Sequence, residues 1–356
     1  MIRIALLGAG VIGREHALRL QRAPECRLHS IVEPGPAGPA LAQQLGVPCH
    51  ASLDELLGAP LPDAAIIATP NDLHVPQAMA LLRRGVPVLV EKPVSHNLAA
   101  GTELVRLQQQ SGVPVLVGHH RRHGAVLQAA HACVNSGELG RLVAVNTTVL
   151  FHKPDAYYDV AWRRAPGGGP ILINLIHEID ALRWLAGDIV AVQARSSRAT
   201  RGFEVEDTAA VLLEFASGAL GTLILSDCSA TPRSWEQTSG ENPAYAREVD
   251  QDCLLLAGTR GALAVPTLMR WHSPGAPSWH TALQREQIPV TPVDPLERQL
   301  QHFCDVIRGR AEPLVSAADA LASLRATLAV HEAASTGLAV RLPPADAHLH
   351  HRWSIG

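Results

Sequence analysis

The sequence lacks the features that mark several specialised protein classes. Only 4% of its 356 residues are aromatic, and 30 Lys plus Arg nearly balance 33 Asp plus Glu, for a formal net charge of −3. A chain so close to neutral has no basic footprint, so we expect no nucleic-acid partner. No apolar run approaches the ~20 residues that cross a bilayer, and no signal peptide opens the chain, so no membrane partner is expected.

The six cysteines form no C-x-x-C pair. Neither they nor the histidine groups at 119–123 and 348–351 have acidic or thiol partners at metal-binding spacing, so the sequence predicts no metal site. Scattered single thiols are typical of a reducing compartment, which predicts a cytoplasmic protein. The length exceeds what one ordinary hydrophobic core needs and indicates two domains.

The first third of the chain alternates short apolar strands with helical segments. This order predicts an α/β domain over residues 1–120, with a doubly wound parallel sheet covered on both faces. After residue 120 the pattern changes to a helix, a β-branched strand at 142–151, a helix at 173–185 and further strands. We expect a second domain over 121–342, closed by two helices that begin after Asp294 and Ser316, and a loose tail at 343–356.

A glycine motif between the first strand and the first helix predicts a dinucleotide site. Gly8 makes the tight turn, Gly10 lets backbone approach the pyrophosphate, and Gly13 lets the helix pack closely on the strand. The free N–H groups of the helix start, at Val11 and Ile12, then face the phosphate charge. Glu33 ends the second strand, where it would accept from the ribose hydroxyls and repel a 2′-phosphate. NAD is therefore expected as the cofactor, with NADP disfavoured.

Several motifs, in this order, resemble those of the Gfo/Idh/MocA family of oxidoreductases. They are Gly8–Gly13, Ala-Thr-Pro-Asn-Asp-Leu-His at 68–74, Glu-Lys-Pro at 91–93, Gly-His-His-Arg-Arg at 118–122, and the run from Gly-Gly-Gly-Pro at 167–170 to His177 and Trp184. The resemblance spans nearly the whole chain. It implies a Rossmann domain followed by an α/β domain with a large, mostly antiparallel open sheet, and a final helix that returns toward the Rossmann domain.

The resemblance also implies roles for individual residues. Lys92, at the carboxyl end of a strand, would polarise a substrate oxygen, and His177 would take the hydroxyl proton as hydride leaves. Glu91 would position the loop. The resemblance adds further cofactor contacts at Thr69, Pro70, Asn71, His74, Glu91 and Lys92.

The chain departs from the family pattern at one position of the second domain. The family often has an aspartate four residues before the histidine, to pair with it one helical turn away. Here that residue is Ile173, and the neighbouring Asn174 cannot carry charge. His177 therefore works without a carboxylate partner or takes one from elsewhere, and the substrate is expected to differ from that of inositol dehydrogenases.

A basic and aromatic segment precedes the glycine run at 167–169. Its side chains, together with those at 121 and 122, could bind an acidic sugar or a carboxylated cyclic diol; a solvated basic loop or a contact between subunits is the alternative. The expected substrate contacts are Lys92, Arg121, Lys153, Tyr158, Trp162, Arg163, Asn174 and His177.

These observations favour one function over two alternatives. The favoured one is NAD-dependent hydride transfer with a secondary alcohol or ketone of a small polar substrate, a sugar, a cyclitol or a carboxylated cyclic diol. The alternatives are a glycoside hydrolase that oxidises transiently and a nucleotide-binding sensor without catalysis. Hydride transfer itself needs no metal. Because an open sheet leaves an exposed face, we expect a homodimer or homotetramer.

Overall fold

A computed structural model describes residues 1–343, so the predicted loose tail at 343–356 lies outside the described residues apart from its first residue. The chain divides into two units. The first unit comprises residues 1–123 and 294–324, and the second comprises 124–293 together with the chain from 325 onward. The predicted domain ranges placed 294–324 in the second domain, whereas in the structure these residues pack with the first unit.

The first segment of the chain forms a six-stranded parallel sheet with helices between its strands. The strand order is β3-β2-β1-β4-β5-β6, the order of a dinucleotide-binding Rossmann sheet, which confirms the predicted fold. Its elements are β1 (Ile2–Leu7), α1 (Val11–Arg22), β2 (Cys26–Val32), α2 (Ala37–Leu45), β3 (Cys49–His50), α3 (Leu53–Gly58), β4 (Ala64–Ile67), α4 (Asn71–Leu82), β5 (Val88–Val90), α5 (Leu98–Ser111), β6 (Val115–Val117) and a 3₁₀ turn at His120–His123.

The second unit is built on a mixed, mostly antiparallel sheet of ten strands within the described residues, in which only β7 and β10 pair in parallel. Its strands are β7 (Leu142–His152), β8 (Ile189–Ser197), β9 (Thr208–Phe215), β10 (Leu220–Ser226), β11 (Cys228–Arg233), β12 (Leu254–Gly258), β13 (Gly261–Val265), β14 (Met269–His272), β15 (Gln284–Gln287) and β16 (Val340–Arg341). Its helices are α6 (Ala125–Asn135), α7 (Pro170–Ile173), α8 (Leu175–Ala186) and α9 (Trp235–Thr238), with 3₁₀ turns at Asp155–Asp159 and Ala161–Arg164.

Two helices follow, α10 (Pro295–Ile307) and α11 (Ala317–Thr336). Asp294 caps α10 through hydrogen bonds from the amides of Leu296 and Glu297, 2.9 and 3.2 Å long. Ser316 accepts from the Asp319 amide at 3.2 Å, so both predicted N-caps are confirmed. α10 completes the core of the first unit with Leu300 and Phe303, beside Leu6 of β1.

One face of the second sheet is covered, and the other carries exposed leucines. The covered face packs α8 and part of α11 over a continuous apolar core that includes Ile179, Leu182 and Phe215. On the opposite face Leu212 is 53% exposed and Leu220 63% exposed. An apolar groove of about 520 Å³ runs across that face, lined among others by Leu212, Leu220, Glu214 and Arg341.

Candidate functional site

The glycine turn has the geometry that a dinucleotide site requires. Gly8 has φ +96°, and a Cβ there would lie 2.4 Å from the Ala68 carbonyl oxygen. A Cβ on Gly13 would lie 2.2 Å from the Gly8 carbonyl oxygen, whereas one on Gly10 would meet nothing within 4 Å. Gly8 and Gly13 therefore close the strand–helix contact. Gly10 opens onto space at the start of α1, where a pyrophosphate fits against free N–H groups.

Glu33 lies beside this turn, as predicted. Its Oε2 accepts from the Ala9 amide at 3.0 Å and its Oε1 from the Gly35 amide at 2.9 Å. These hydrogen bonds fix the carboxylate at the carboxyl end of β2. A carboxylate offers about four lone-pair sites, so two remain for ribose hydroxyls. The residues of this turn thus fit a dinucleotide with an unphosphorylated ribose.

His74 is a buried bridge between two loops. Helix α4 begins at Asn71, so His74 lies in its first turn. Its Nδ1 lies 2.8 Å from the Pro93 carbonyl oxygen and its Nε2 2.8 Å from that of Thr69. His74 thereby ties the loop that carries Lys92 to the one that carries Thr69, while Asn71 is exposed.

The loop after β5 carries Lys92, which is half-buried, and the Lys92–Pro93 peptide bond is cis. Glu91 is buried under it. Its Oε1 lies 2.7 Å from His16 Nε2, and its Oε2 accepts from the Lys92 amide at 3.3 Å. Glu91 also fits against Gly118, where a Cβ would lie 2.9 Å from the carboxylate. Glu91 therefore positions the start of the lysine loop and joins it to α1.

Electrostatics keep Glu91 ionised despite its burial. Burial raises the pKa of Glu91, but the hydrogen bond with His16 and the electrostatic attraction of His16 and Lys92 outweigh it and leave the pKa below its usual range. For His120 itself, burial and the neighbouring Arg121 charge lower the pKa to about 3. His120 is therefore neutral near pH 7 and offers Glu91 no counter-charge there.

His16 was missed at the sequence level, although a signal for it exists. Gly13, His16, Ala17 and Leu20 form the buried stripe of α1. A histidine on such an apolar stripe needs a buried partner, because burying an unpaired polar group is costly. The sequence could not name that partner, since Glu91 lies 75 positions further along the chain.

The predicted basic residues at 121 and 122 are buried in the first unit. Arg121 is 6% exposed and Arg122 is 3% exposed. Arg122 forms an ion pair of 2.6 Å with Asp319 at the start of α11. Arg122 thus serves the packing of α11 on the first unit, and the predicted binding role of Arg121 stays a prediction.

In the second unit, a buried group of side chains gathers around Asp227 and is called the Asp227 cluster below. Tyr158 donates its hydroxyl to Asp227 Oδ2, Arg201 Nε donates to Oδ1 at 3.2 Å, and Lys153 Nζ lies 3.4 Å from Oδ2. Lys153 Nζ also donates to Asn174 Oδ1 at 2.8 Å. The members of the cluster are Lys153, Tyr158, Asn174, Arg201 and Asp227.

Burial sets the protonation of this cluster. Burial lowers the pKa of Lys153, and the facing Asp227 carboxylate raises it in part, so the net pKa stays below its usual value. For Tyr158, burial and then the hydrogen bond to Asp227 raise the pKa. The tyrosine therefore remains a neutral donor. Two cations and one donor hydroxyl converge on a carboxylate that is 1% exposed.

The structure brings together three of the predicted substrate contacts, Lys153, Tyr158 and Asn174, and leaves Trp162 at the surface. Trp162 is 54% exposed. Arg163 stacks over the Tyr157 ring at 4.0 Å and donates to the Tyr157 carbonyl at 2.7 Å. The sequence analysis did not identify Arg201 or Asp227, because neither residue is part of a recognisable motif.

His177 is half-buried on α8, and its amide donates to the Asn174 carbonyl at 3.1 Å. The two residues therefore lie on adjacent turns of one helix face. Ile173, at the position of the usual aspartate, ends α7, and the helix restarts after Asn174. Among residues 1–343, no group of three or more His, Cys, Asp or Glu side chains is placed to hold a metal ion.

Comparison with known proteins identifies the class. Residues 2–119 match the family model described as "Oxidoreductase family, NAD-binding Rossmann fold", and residues 127–264 match the "GFO/IDH/MocA C-terminal domain". The chain is therefore an NAD-binding oxidoreductase by class. It belongs to the Gfo/Idh/MocA family, as its motifs had indicated.

Named relatives are sugar and cyclitol enzymes. A 1,5-anhydro-D-fructose reductase from Ensifer adhaerens is 28% identical over 347 residues, covering 96% of this chain and 99% of that protein. An inositol 2-dehydrogenase from Streptomyces avermitilis is 32% identical over 62% of this chain and 64% of that protein, under two thirds of its length. The WlbA dehydrogenase from Bordetella pertussis, solved with NADH and UDP-GlcNAcA, is 26% identical with a TM-score of 0.77, over 96% of this chain and 99% of that one.

Proposed function

We propose that the protein transfers a hydride between NAD and a secondary alcohol or ketone of a small polar substrate, a sugar, a cyclitol or a carboxylated cyclic diol. The observation that carries this proposal is the loop that holds Lys92 beside the buried Glu91, in a chain of an NAD-binding oxidoreductase family. The names of the relatives support sugars and cyclitols as the substrate class. In the proposed site, Gly8, Gly10, Val11, Ile12, Gly13 and Glu33 hold the dinucleotide.

Each reacting group has one role in this proposal. His177 takes the proton of the substrate hydroxyl, and the Lys92 ammonium stabilises negative charge that develops on the substrate. The hydride leaves the carbinol carbon with both electrons of the C–H bond, and the product is a ketone. Bound NAD⁺ supplies the two-electron acceptor. Glu91 and His74 hold the Lys92 loop by the contacts described above.

Cofactor choice follows from Glu33. A carboxylate held at the end of β2 repels the 2′-phosphate of NADP and accepts from the hydroxyls of NAD. We therefore expect activity with NAD⁺ and little with NADP⁺. Glu33→Gln should reduce the difference between the activities with NAD⁺ and NADP⁺, because a neutral amide does not repel the 2′-phosphate of NADP⁺.

The test is a panel of sugars, inositols, sugar acids and carboxylated cyclic diols, each incubated with the protein and NAD⁺ or NADP⁺. Formation of reduced cofactor, read as absorbance at 340 nm, supports the proposal. Release of sugar from glycosides without net NAD⁺ consumption would instead establish hydrolysis. Tight NADH binding with no turnover of any panel member would instead favour a nucleotide-binding sensor without catalysis.

We also propose that a second copy of the chain covers the exposed sheet face. The groove there is lined by Leu212 and Leu220, and also by Glu214 and Arg341, whose side chains form no hydrogen bond or ion pair within residues 1–343. In a two-fold arrangement, Glu214 of one copy can face Arg341 of the other. An exposed apolar patch flanked by opposite charges is typical of a homodimer interface.

The proposed location is the cytoplasm. All six cysteines are free thiols, which suits a reducing compartment. No helix in residues 1–343 combines the length and apolar character that a membrane crossing needs.

A further inference from the structure

The hydrogen bond between Lys153 and Asn174 fixes which end of the Asn174 amide is turned toward the Asp227 cluster. A lysine ammonium only donates, so the group 2.8 Å from Lys153 Nζ must be the amide oxygen. The NH₂ group of Asn174 then points away from the lysine. It has no hydrogen-bond partner within residues 1–343, and the residue is half-buried rather than sealed.

This orientation is held by buried contacts. Lys153 is 7% exposed, and its own amide donates to the Asp227 carbonyl at 2.8 Å. Arg201 donates to the Lys153 carbonyl at 2.8 Å and to the Asp227 carbonyl at 2.7 Å. The ammonium therefore cannot swing away from Asn174 without breaking the cluster. An amide flip would place two sets of donors against each other.

The charges near Asn174 differ from those at a carboxylate site. The preceding residue, Ile173, is apolar, and Asn174 faces the Lys153 ammonium of a cluster in which the two cations Lys153 and Arg201 share the single carboxylate of Asp227. An aspartate at position 174 would accept a hydrogen bond from a substrate hydroxyl. Asn174 instead has its oxygen turned to Lys153 and presents N–H donors, so its complement is an acceptor oxygen.

Asn174 also lies where such a contact would bear on reaction. Its carbonyl accepts from the His177 amide at 3.1 Å, so its side chain stands one turn before the proposed base on α8. A substrate group bound to the Asn174 NH₂ is then held close to His177.

We infer that Asn174 is a specificity-determining donor that binds a carboxylate of the substrate, so that the protein acts on hydroxy acids of the sugar-acid or cyclic type in preference to neutral polyols. This inference rests on the proposed hydride transfer. It adds a substrate class and assigns Lys153 as the residue that positions the Asn174 amide.

The test compares matched acid and neutral probes, quinic acid with myo-inositol and glucuronic acid with glucose. Asn174→Asp keeps the size of the side chain and the contact to Lys153, but turns a negative oxygen toward the substrate. With the wild-type protein, kcat/KM for an acid should exceed that for its neutral counterpart at least about tenfold, the worth of one good hydrogen bond to a charge. N174D should lower kcat/KM for the acid by about 10- to 150-fold and should lower the ratio of the acid value to the neutral value at least about tenfold.

Asn242→Asp is the matched control, because Asn242 is an exposed residue of the second unit whose Oδ1 accepts from the Ala244 amide at 2.9 Å. It adds the same charge and should leave both kcat/KM values unchanged. Equal thermal midpoints of N174D and N242D would show that N174D folds.

The outcomes separate this inference from the proposed function. Turnover of the neutral probes with no preference for acids, or an equal loss on both by N174D, overturns the inference while hydride transfer stands. If no probe is turned over, the proposed function fails, and calorimetric binding of quinic and glucuronic acid to the NADH-loaded protein decides the inference. Acid binding that N174D weakens supports it, and absence of acid binding overturns it.

Discussion

The glycine turn of the first unit and the Asp227 cluster of the second both hold proposed functional groups, but by different means. In the turn, backbone shape does the positioning: Gly8 and Gly13 leave no room for a Cβ, and Glu33 is fixed by two amides. In the cluster, side-chain charges do it, with Lys153, Arg201 and Tyr158 all directed at Asp227. The backbone shape of the glycine turn is encoded by contiguous residues. The Asp227 cluster instead depends on side chains from segments that are distant in sequence.

The difference predicts where each region is vulnerable. A backbone turn fails when atoms are added, and a buried charge cluster fails when one member is removed, since the remaining charges lose their partner. The following variants probe that contrast.

The largest loss of stability is expected from Asp227→Ala. It strands two buried cations and one tyrosine hydroxyl, and removing one partner of a buried ion pair costs about 3–5 kcal/mol of unfolding free energy. Denaturant unfolding measures it. Asp155→Ala is the control, because Asp155 is 99% exposed although it also faces Arg201 at 3.4 Å, so its loss should be barely measurable. Equal losses of unfolding free energy in the two variants would show that the Asp227 cluster does not stabilise the second unit.

In the first unit, Gly13→Ala should be compared with Gly10→Ala. A Cβ on Gly13 collides with the Gly8 carbonyl, so G13A should lose about 1–3 kcal/mol of stability and bind NADH at least about tenfold more weakly. A Cβ on Gly10 meets no protein atom, so G10A should fold normally and lose only NADH affinity. NADH fluorescence titration and thermal unfolding distinguish them. If G10A were unstable, the space beside Gly10 would not be open, and its assignment to the cofactor would be wrong.

Glu91→Gln tests the buried contact between Glu91 and His16 beneath the Lys92 loop. The lowered pKa of Glu91 means that its stabilisation is present above the usual carboxyl pKa of 4.5 and is lost as pH falls through the still lower pKa of the folded state. The deficit of E91Q in thermal midpoint should therefore be constant near neutral pH and shrink below about pH 4.5. Glu103→Gln, at an exposed position of α5, is the control. A deficit unchanged at acid pH would contradict the account of Glu91.

The smallest change in protomer stability is expected from Leu212→Glu, on the exposed sheet face. The folded protomer should change by less than about 0.5 kcal/mol, but a charge in the proposed interface should convert dimer to monomer. Light scattering after size-exclusion chromatography gives the mass. Leu18→Glu, on the exposed side of α1, should leave the mass unchanged. A wild-type monomer would rule out the homodimer.

The same contrast explains what the sequence could predict. The strand–glycine–helix order at Gly8–Gly13 is contiguous, and the structure confirms the Rossmann fold around it. Strands β14 and β15 and helix α3 were missed, because β15 is polar and wholly exposed and α3 is short. His16 could have been flagged from its apolar stripe.

The Asp227 cluster could not be predicted. Lys153 and Asp227 are far apart along the chain, and Arg201 follows β8 in a turn that resembles any other polar turn. The pairing of β7 with β10 and β11 brings Lys153 to Asp227, and the pairing of β8 with β9 and of β9 with β10 brings the Arg201 turn to them. Such long-range pairing has no local sequence signal.

We propose above all a role for Lys92, which, held by Glu91 and His74, promotes hydride transfer with NAD. Its most direct test is the rate of NADH formation by wild type and Lys92→Ala on the best panel substrate at saturating NAD⁺. We expect K92A to lower kcat by about 10²–10³, as for removal of one oxyanion-stabilising donor, with the thermal midpoint unchanged. A folded K92A that forms NADH as fast as wild type would contradict it.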